Sequence, residues 1–132
     1  KKILPFINTF YIDLKHPDSE QHRTLVGVEN GLILANLKKL DESPLSFSLC
    51  VRIPLIPGIN DSDDTLAASA AIAARLRKIQ EVEIGVATYS HLGRKYRLRG
   101  VAIPSQDYLL ERAEFLKKLD LPVPVKIGGR YV

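Results

Sequence analysis

Asp13 and Lys15 stand two residues apart in an alternating run, Phe10-Tyr11-Ile12-Asp13-Leu14-Lys15, and so share one face of an extended segment. Arg52 closes a similar run about 39 residues later, and Ser90 and His91 follow a third run at nearly the same interval. An acid, two cations and an imidazole brought to equivalent points could hold a zwitterionic or carboxylate-bearing ligand. Arg52 would grip the carboxylate through two parallel hydrogen bonds. Read on residue types alone, Asp13, Lys15 and Arg52 also serve as an interior ion-pair cluster, and His91 as a surface-loop histidine. His16 and His22 read as solvated or hydrogen-bonded structural groups, and Cys50 as a small buried apolar residue rather than a nucleophile.

For these residues to meet, the segments that carry them must lie side by side and point the same way. The chain reads as a strand-like run followed by a helix-like run, three times over. The first strand spans Phe10 to Lys15. A short helical turn, Ser19 to Val26, leads to a helix capped by Asn30, with Ile33, Leu37 and Leu40 as its buried stripe. The second strand spans Phe47 to Leu55, with Leu49, Val51 and Ile53 facing one way and Ser48, Cys50 and Arg52 the other. Pro54 falls near its end, where a missing donor matters least.

After the turn Ile56 to Asp61, Ser62 caps a helix with Asp63 and Asp64 in its first turn and Arg75, Arg77 and Lys78 in its last. That order complements the helix dipole. The Ala-rich body of this helix packs around Ile72, Leu76 and Ile79. The third strand spans Val82 to Tyr89. Ser105 caps a last helix, Gln106 to Leu119, with Leu109, Ala113 and Leu116 inward. Val123 to Ile127 forms a short terminal extended segment. Crossovers of this length join parallel strands, so the expected class is α/β, a parallel sheet covered by helices. Ligands of such folds bind at the C-terminal ends of the strands.

The 132 residues contain no linker or low-complexity stretch and are expected to form a single domain over 1–132. No apolar run approaches the roughly 18 to 20 residues that cross a bilayer, and no signal peptide opens the chain, which points to the cytoplasm without a membrane partner. There is no methionine, so residue 1 is not expected to be the native start. The single cysteine, Cys50, excludes an internal disulfide and cannot by itself hold an iron–sulfur cluster, which takes three or four thiolates. A net charge of +4 permits an anionic ligand without requiring nucleic acid. The basic run Arg94 to Arg99 with its interleaved Tyr96 is a weak nucleic-acid signal, which a solvated loop or a protein-docking patch explains equally.

Three stretches are more specific. Tyr11-Ile12-Asp13-Leu14-Lys15-His16, with His22, Gly27 and Asn30 after it, resembles the D-L-K-H…H…G…N stretch of glycyl-radical-enzyme activating enzymes. Arg52 to Asp61 (RIPLIPGIND) is similar to their R-x-P-L-I-P-G-x-N-D segment. Tyr89-Ser90-His91-Leu92-Gly93, with Lys95-Tyr96, is similar to their P-Y-H-x-L-G-x-x-K-Y segment. The order and spacing agree from Thr9 to about Leu119.

The resemblance implies three consecutive βα units of a partial TIM-like barrel, the C-terminal half of a (βα)6 barrel from a radical S-adenosylmethionine enzyme of the pyruvate formate-lyase activating type. It implies S-adenosylmethionine and a 4Fe–4S cluster as cofactors, with the C-x3-C-x2-C cluster ligands in an earlier half absent from this chain. Reductive cleavage would yield a 5′-deoxyadenosyl radical that abstracts a glycine hydrogen from the partner. By position, Asp13, Leu14 and Lys15 would contact S-adenosylmethionine, Arg52 would add positive charge, and Ser90 or His91 would take the place of a sixth-strand histidine. No residue here would be a metal ligand or catalytic by itself, so the piece alone is expected to be inactive. The implied partners are a pyruvate formate-lyase-like glycyl-radical enzyme and an electron donor such as flavodoxin or ferredoxin. Half a barrel also leaves strand edges open, which predicts self-association.

Two other classes remain open to the residues. One is another βα-barrel lyase or aldolase with Lys15 as a Schiff-base lysine, although a Gly-rich phosphate loop is missing. The other is a non-catalytic binding module acting through the basic run.

Overall fold

The protein is described by a computed structural model covering residues 3–86 and 100–128 and the backbone of 130 and 131. A 3-10 turn at Leu4–Phe6 leads into β1 (Thr9–Asp13). Two helices follow, α1 (Ser19–Val26) and α2 (Gly31–Asp41). The chain continues through β2 (Ser48–Pro54), α3 (Asp63–Ala74), β3 (Ile79–Gly85), α4 (Gln106–Lys117) and β4 (Val125–Ile127), ending in β5 (Arg130–Tyr131). The strands form one sheet in chain order, with β1 to β4 all parallel and β5 antiparallel to β4.

Side-chain alternation decides which face each strand gives to the helices. Leu14, Val51, Ile53, Val82, Ile84, Val125 and Ile127 form one cluster with Leu66, Ala70 and Ala73 of α3 and Leu109, Ala113 and Leu116 of α4. Phe10, Ile12 and Leu49 form a second with Leu37 and Leu40 of α2. Among the described residues α2, α3 and α4 thus cover the same face, the arrangement of a sheet on its way to closing as a barrel. Small residues on α3, among them Ala70 and Ala73, let that helix approach the strands closely.

The helix starts follow from local chemistry. Asp18, Ser62 and Ser105 each accept a backbone N–H from the residue three positions on, at 2.8, 3.3 and 3.2 Å. Gly27 ends α1 at a φ of +89°, where a side chain would be strained.

Several expectations need correction. Asn30 precedes α2 but makes no side-chain cap; its amide is spent on the β1–α1 connection. The stripe of α2 that reaches the sheet is Leu34, Leu37 and Leu40, while Ile33 packs into neither cluster. The third helix ends at Ala74 with Arg75 as its C-cap, so none of Arg75, Arg77 and Lys78 is in its last turn. The buried Asp41 carboxylate takes the Lys78 N–H at 2.9 Å and the Arg77 guanidinium at 3.4 Å, satisfying a charge that would otherwise be costly to bury.

Ile79 begins β3 instead of packing from the helix. Leu49 pairs with Ile79 and Cys50 with Glu81, which makes Gln80 a bulge residue. The bulge resets the alternation, so that Ile79, Val82 and Ile84 all reach the helix side. The strand therefore starts three residues before the expected Val82. The expected continuation to Tyr89 lies beyond residue 86, outside the described residues. The terminal extended segment is a fourth parallel strand, β4.

Candidate functional site

The strand register sets Asp13 opposite Arg52, Arg52 opposite Glu83, and Glu83 opposite Lys126. A row of alternating charge thus crosses four strands on the face away from the helices. Arg52 donates to Asp13 Oδ1 from Nε at 2.9 Å and from a terminal nitrogen at 2.8 Å, and its guanidinium lies 5.6 Å from the centre of the Tyr11 ring. The two side chains are 45% and 40% exposed, so the pair contributes less than about 1 kcal/mol to folding. Its consequence is orientation: Arg52 is held along the sheet toward β1.

One row lower, Glu81 pairs with Lys126 and accepts the Cys50 thiol at 3.3 Å. Burial, then the hydrogen bond to Glu81 and the charges of Glu81 and Glu83, push the thiol up to about 12. Cys50 is therefore protonated at physiological pH and is neither a nucleophile nor a thiolate ligand as it stands. The donor atoms of Cys50, Glu81 and Glu83 lie within 4.8 Å of one another, but a cation there would have to displace both the thiol proton and Lys126 from Glu81.

Past Asp13 the chain leaves the ladder. The last contact is the Leu14 N–H to the Arg52 carbonyl at 2.8 Å. The Leu14 side chain points into the apolar core, so only its backbone faces the rim. Lys15 follows in a bend, so the strand alternation that put it on the face of Asp13 does not carry to it. Its side chain is exposed, with no partner among the described residues.

The next carbonyls are all engaged. Lys15 O accepts from Asn60 Nδ2 at 2.8 Å, and His16 O and Pro17 O accept from Asn30 Nδ2 at 3.1 and 2.8 Å. Asn60 also donates to Pro54 O and accepts the Ile56 N–H, both at 2.8 Å. Asp61 beside it accepts the Gly58 N–H at 2.9 Å and the Tyr108 hydroxyl, locking the β2–α3 turn to α4. The two histidines are structural: His16 Nδ1 accepts the Asp18 N–H at 3.1 Å, and His22 Nδ1 donates to Val28 O at 2.6 Å.

Of the residues singled out from sequence, Asp13 and Arg52 meet directly and Lys15 stands at the same rim, while Leu14 turns its side chain away. Ser90, His91 and the basic run Arg94 to Arg99 lie outside the described residues. Glu81, Glu83 and Lys126 were not anticipated. Their signal is the polar alternation within Ile79–Gly85 and Val125–Ile127, which a bulge and a strand of three residues obscured.

A parallel sheet in chain order, helices on one face and a charged rim on the other define a partial βα barrel. A crystallised domain of a pyruvate-formate lyase-activating enzyme from Bacteroides vulgatus superposes with a TM-score of 0.73 at 28% identity, covering 97% of this chain and 71% of that one. A radical SAM methyltransferase from Sphaerobacter thermophilus shares the fold, with a TM-score of 0.63 at 20% identity over 89% of this chain and 33% of its own. No protein-family model matches.

Among curated proteins, the choline trimethylamine-lyase activating enzyme of Oleidesulfovibrio alaskensis is 36% identical over 94% of this chain and 42% of its own length. The indoleacetate decarboxylase activating enzyme of Tractidigestivibacter scatoligenes is 30% identical over 89% of this chain and 38% of its own. The 4-hydroxyphenylacetate decarboxylase activating enzyme of Clostridioides difficile is 38% identical over 70% of this chain and 28% of its own. These relatives are all glycyl-radical-enzyme activating enzymes, and the chain spans less than half the length of each.

The two cofactors of that class fit this chain differently. The rim carries charges of both signs, Arg52 with Asp13 and Lys15 beside them, which fits a zwitterionic ligand. A 4Fe–4S cluster does not fit, because the whole sequence holds one cysteine and its thiol is buried and protonated.

Proposed function

We propose that this chain forms part of the S-adenosylmethionine-binding barrel of an activating enzyme that installs a glycyl radical on a partner enzyme. The observation that carries the reading is the meeting of Asp13 and Arg52 on one rim, beside Lys15, whose charge has no partner among the described residues, at positions whose surrounding sequence resembles the family's motifs. When bound and reduced, S-adenosylmethionine would supply the radical that takes a hydrogen from one glycine of the partner. This chain's own work is binding and orientation: Arg52, already turned toward β1 by Asp13, and Lys15 would hold the carboxylate. Leu14 would contribute backbone alone, and Ser90 or His91 a further polar contact.

The cluster ligands would come from a preceding half of the barrel, so the 132 residues alone would be inactive. A pyruvate formate-lyase-like protein as partner, flavodoxin or ferredoxin as electron source, and a cytoplasmic location complete the proposal. In support of the location, no helix among the described residues is long and apolar enough to cross a membrane. The free side of β1 has no partner strand among the described residues, so the barrel's other strands, or a second copy of this chain, would pair there.

The test is saturable binding of S-adenosylmethionine to the chain, followed by calorimetry with Asp13→Ala and Lys15→Gln. Weakening by about tenfold in each variant is expected. Binding untouched by either change would sink the assignment of the rim.

A further inference from the structure

Three successive carbonyls, those of Lys15, His16 and Pro17, end on the amides of two buried asparagines that approach from different elements. Asn60 comes from the β2–α3 turn and Asn30 from the start of α2. Asn30 and Asn60 are 1% and 2% exposed, and each Nδ2 donates twice, which exhausts its hydrogens. Neither residue does the job its position suggests: Asn30 does not cap its helix, and Asn60 reaches back across the rim instead of serving only its own turn.

The strand ladder cannot hold this segment, because its last bond is made by Leu14. Beyond it, the Lys15 peptide is tied to β2 through Asn60 alone among the described residues: one amide hydrogen goes to Lys15 O and the other to Pro54 O, both at 2.8 Å. Among the described residues the Lys15 ammonium has no partner to hold it in place. Its reach is set by its backbone, and its backbone is set by Asn60 and Asn30.

We infer that Asn60 and Asn30 form a two-asparagine clamp whose role is to position Lys15 against Arg52, so that two cations on different strands act as one carboxylate-binding site. The clamp explains why two buried amides converge on one bend: a buried amide left without acceptors is costly, and a hydrogen bond to β2 fixes a distance that packing alone would leave loose. Both asparagines are positioning residues and touch no ligand. The role in binding rests on the cofactor-site reading above, whereas the clamp itself does not.

A double-mutant cycle separates the two. S-adenosylmethionine affinity of the full chain is measured for Asn60→Asp, Lys15→Gln and the pair; Asn60→Ala, which leaves room for a water, replaces Asn60→Asp if that variant fails to fold. The expected result is a loss of about tenfold for each single change and no further loss in the pair, because a misplaced lysine and an absent one are equivalent. An Asn60 loss that persists in full in the Lys15→Gln background overturns the positioning role. Amide hydrogen exchange at His16 and Asp18 is the second readout and needs no ligand. Exchange at least about tenfold faster in Asn60→Asp and in Asn30→Asp, with β2 and β3 unchanged, supports the clamp, and unchanged exchange overturns it. Should Lys15→Gln bind as tightly as the parent chain, or the parent not bind at all, the cofactor reading fails, and exchange alone decides the clamp.

Discussion

On the helix-covered face of the sheet, Val51, Val82 and Ile84 are fully buried against α3 and α4, and every residue there is apolar. On the opposite face Tyr11, Asp13 and Arg52 remain about half exposed, and the row from Asp13 to Lys126 alternates in sign. The same strands build both, so the difference is not one of backbone or register. The apolar face gains its stability from area removed from water. The charged face gains little, since its outer pair is still solvated, and it keeps chemistry available that a packed core would extinguish. One face holds the protein together, and the other is left to bind.

The comparison breaks if a truncation on the apolar face proves harmless. Ile84→Ala, at a fully buried site in the centre of the sheet, is expected to cost about 3 kcal/mol in denaturant unfolding through lost transfer energy and the cavity left behind. A change under about 1 kcal/mol would mean that the helices do not seal this face.

The next effect belongs to the inner, more buried part of the charged face. The Cys50 thiol ionises at about 12 in the folded chain against an ordinary value of 9.0. The folded state therefore holds the proton more tightly. Stability is constant below the ordinary value and falls as pH rises from there toward the folded one. Tyr108, raised from 10.0 to about 12 by burial and its bond to Asp61, adds to the decline at the upper end. Cys50→Ala should remove the earlier part of that alkaline loss, read as unfolding midpoints at neutral pH and at about pH 10. An unchanged profile would show that burial and the neighbouring Glu81 and Glu83 do not raise the thiol.

The smallest effect is expected at the outer edge of the same face. Arg52→Ala should lower stability by less than about 1 kcal/mol, because its ion pair with Asp13 is half solvated. A loss comparable to that of Ile84→Ala would erase the distinction between the faces.

Much of this was legible in the chain. Leu49, Val51 and Ile53 alternate with Cys50 and Arg52, and each side lies where that period places it. Ser62 and Ser105 cap as their positions require. The residues allowed two readings, a ligand grip or an ion-pair cluster of Asp13, Lys15 and Arg52; the structure forms the Asp13–Arg52 pair, which takes two of the guanidinium nitrogens, and leaves Lys15 out of it. The bulge at Gln80 left no trace, because nothing in Ile79-Gln80-Glu81-Val82 marks which residue is extra. The end of α3 was misread because Arg77 and Lys78 suit a helix terminus locally, while the group that claims them, Asp41, lies far away in sequence.

Residue order alone determined the class of fold, the face each strand gives to the helices and the family the chain resembles, because those depend on period and short motifs carried within single elements. The tertiary structure decided what Asn30, Asn60, Asp41 and Glu81 do. Each is a polar group whose partner is chosen by burial: once withdrawn from water it must take the nearest free donor or acceptor, and which one is nearest is known only after the chain has folded.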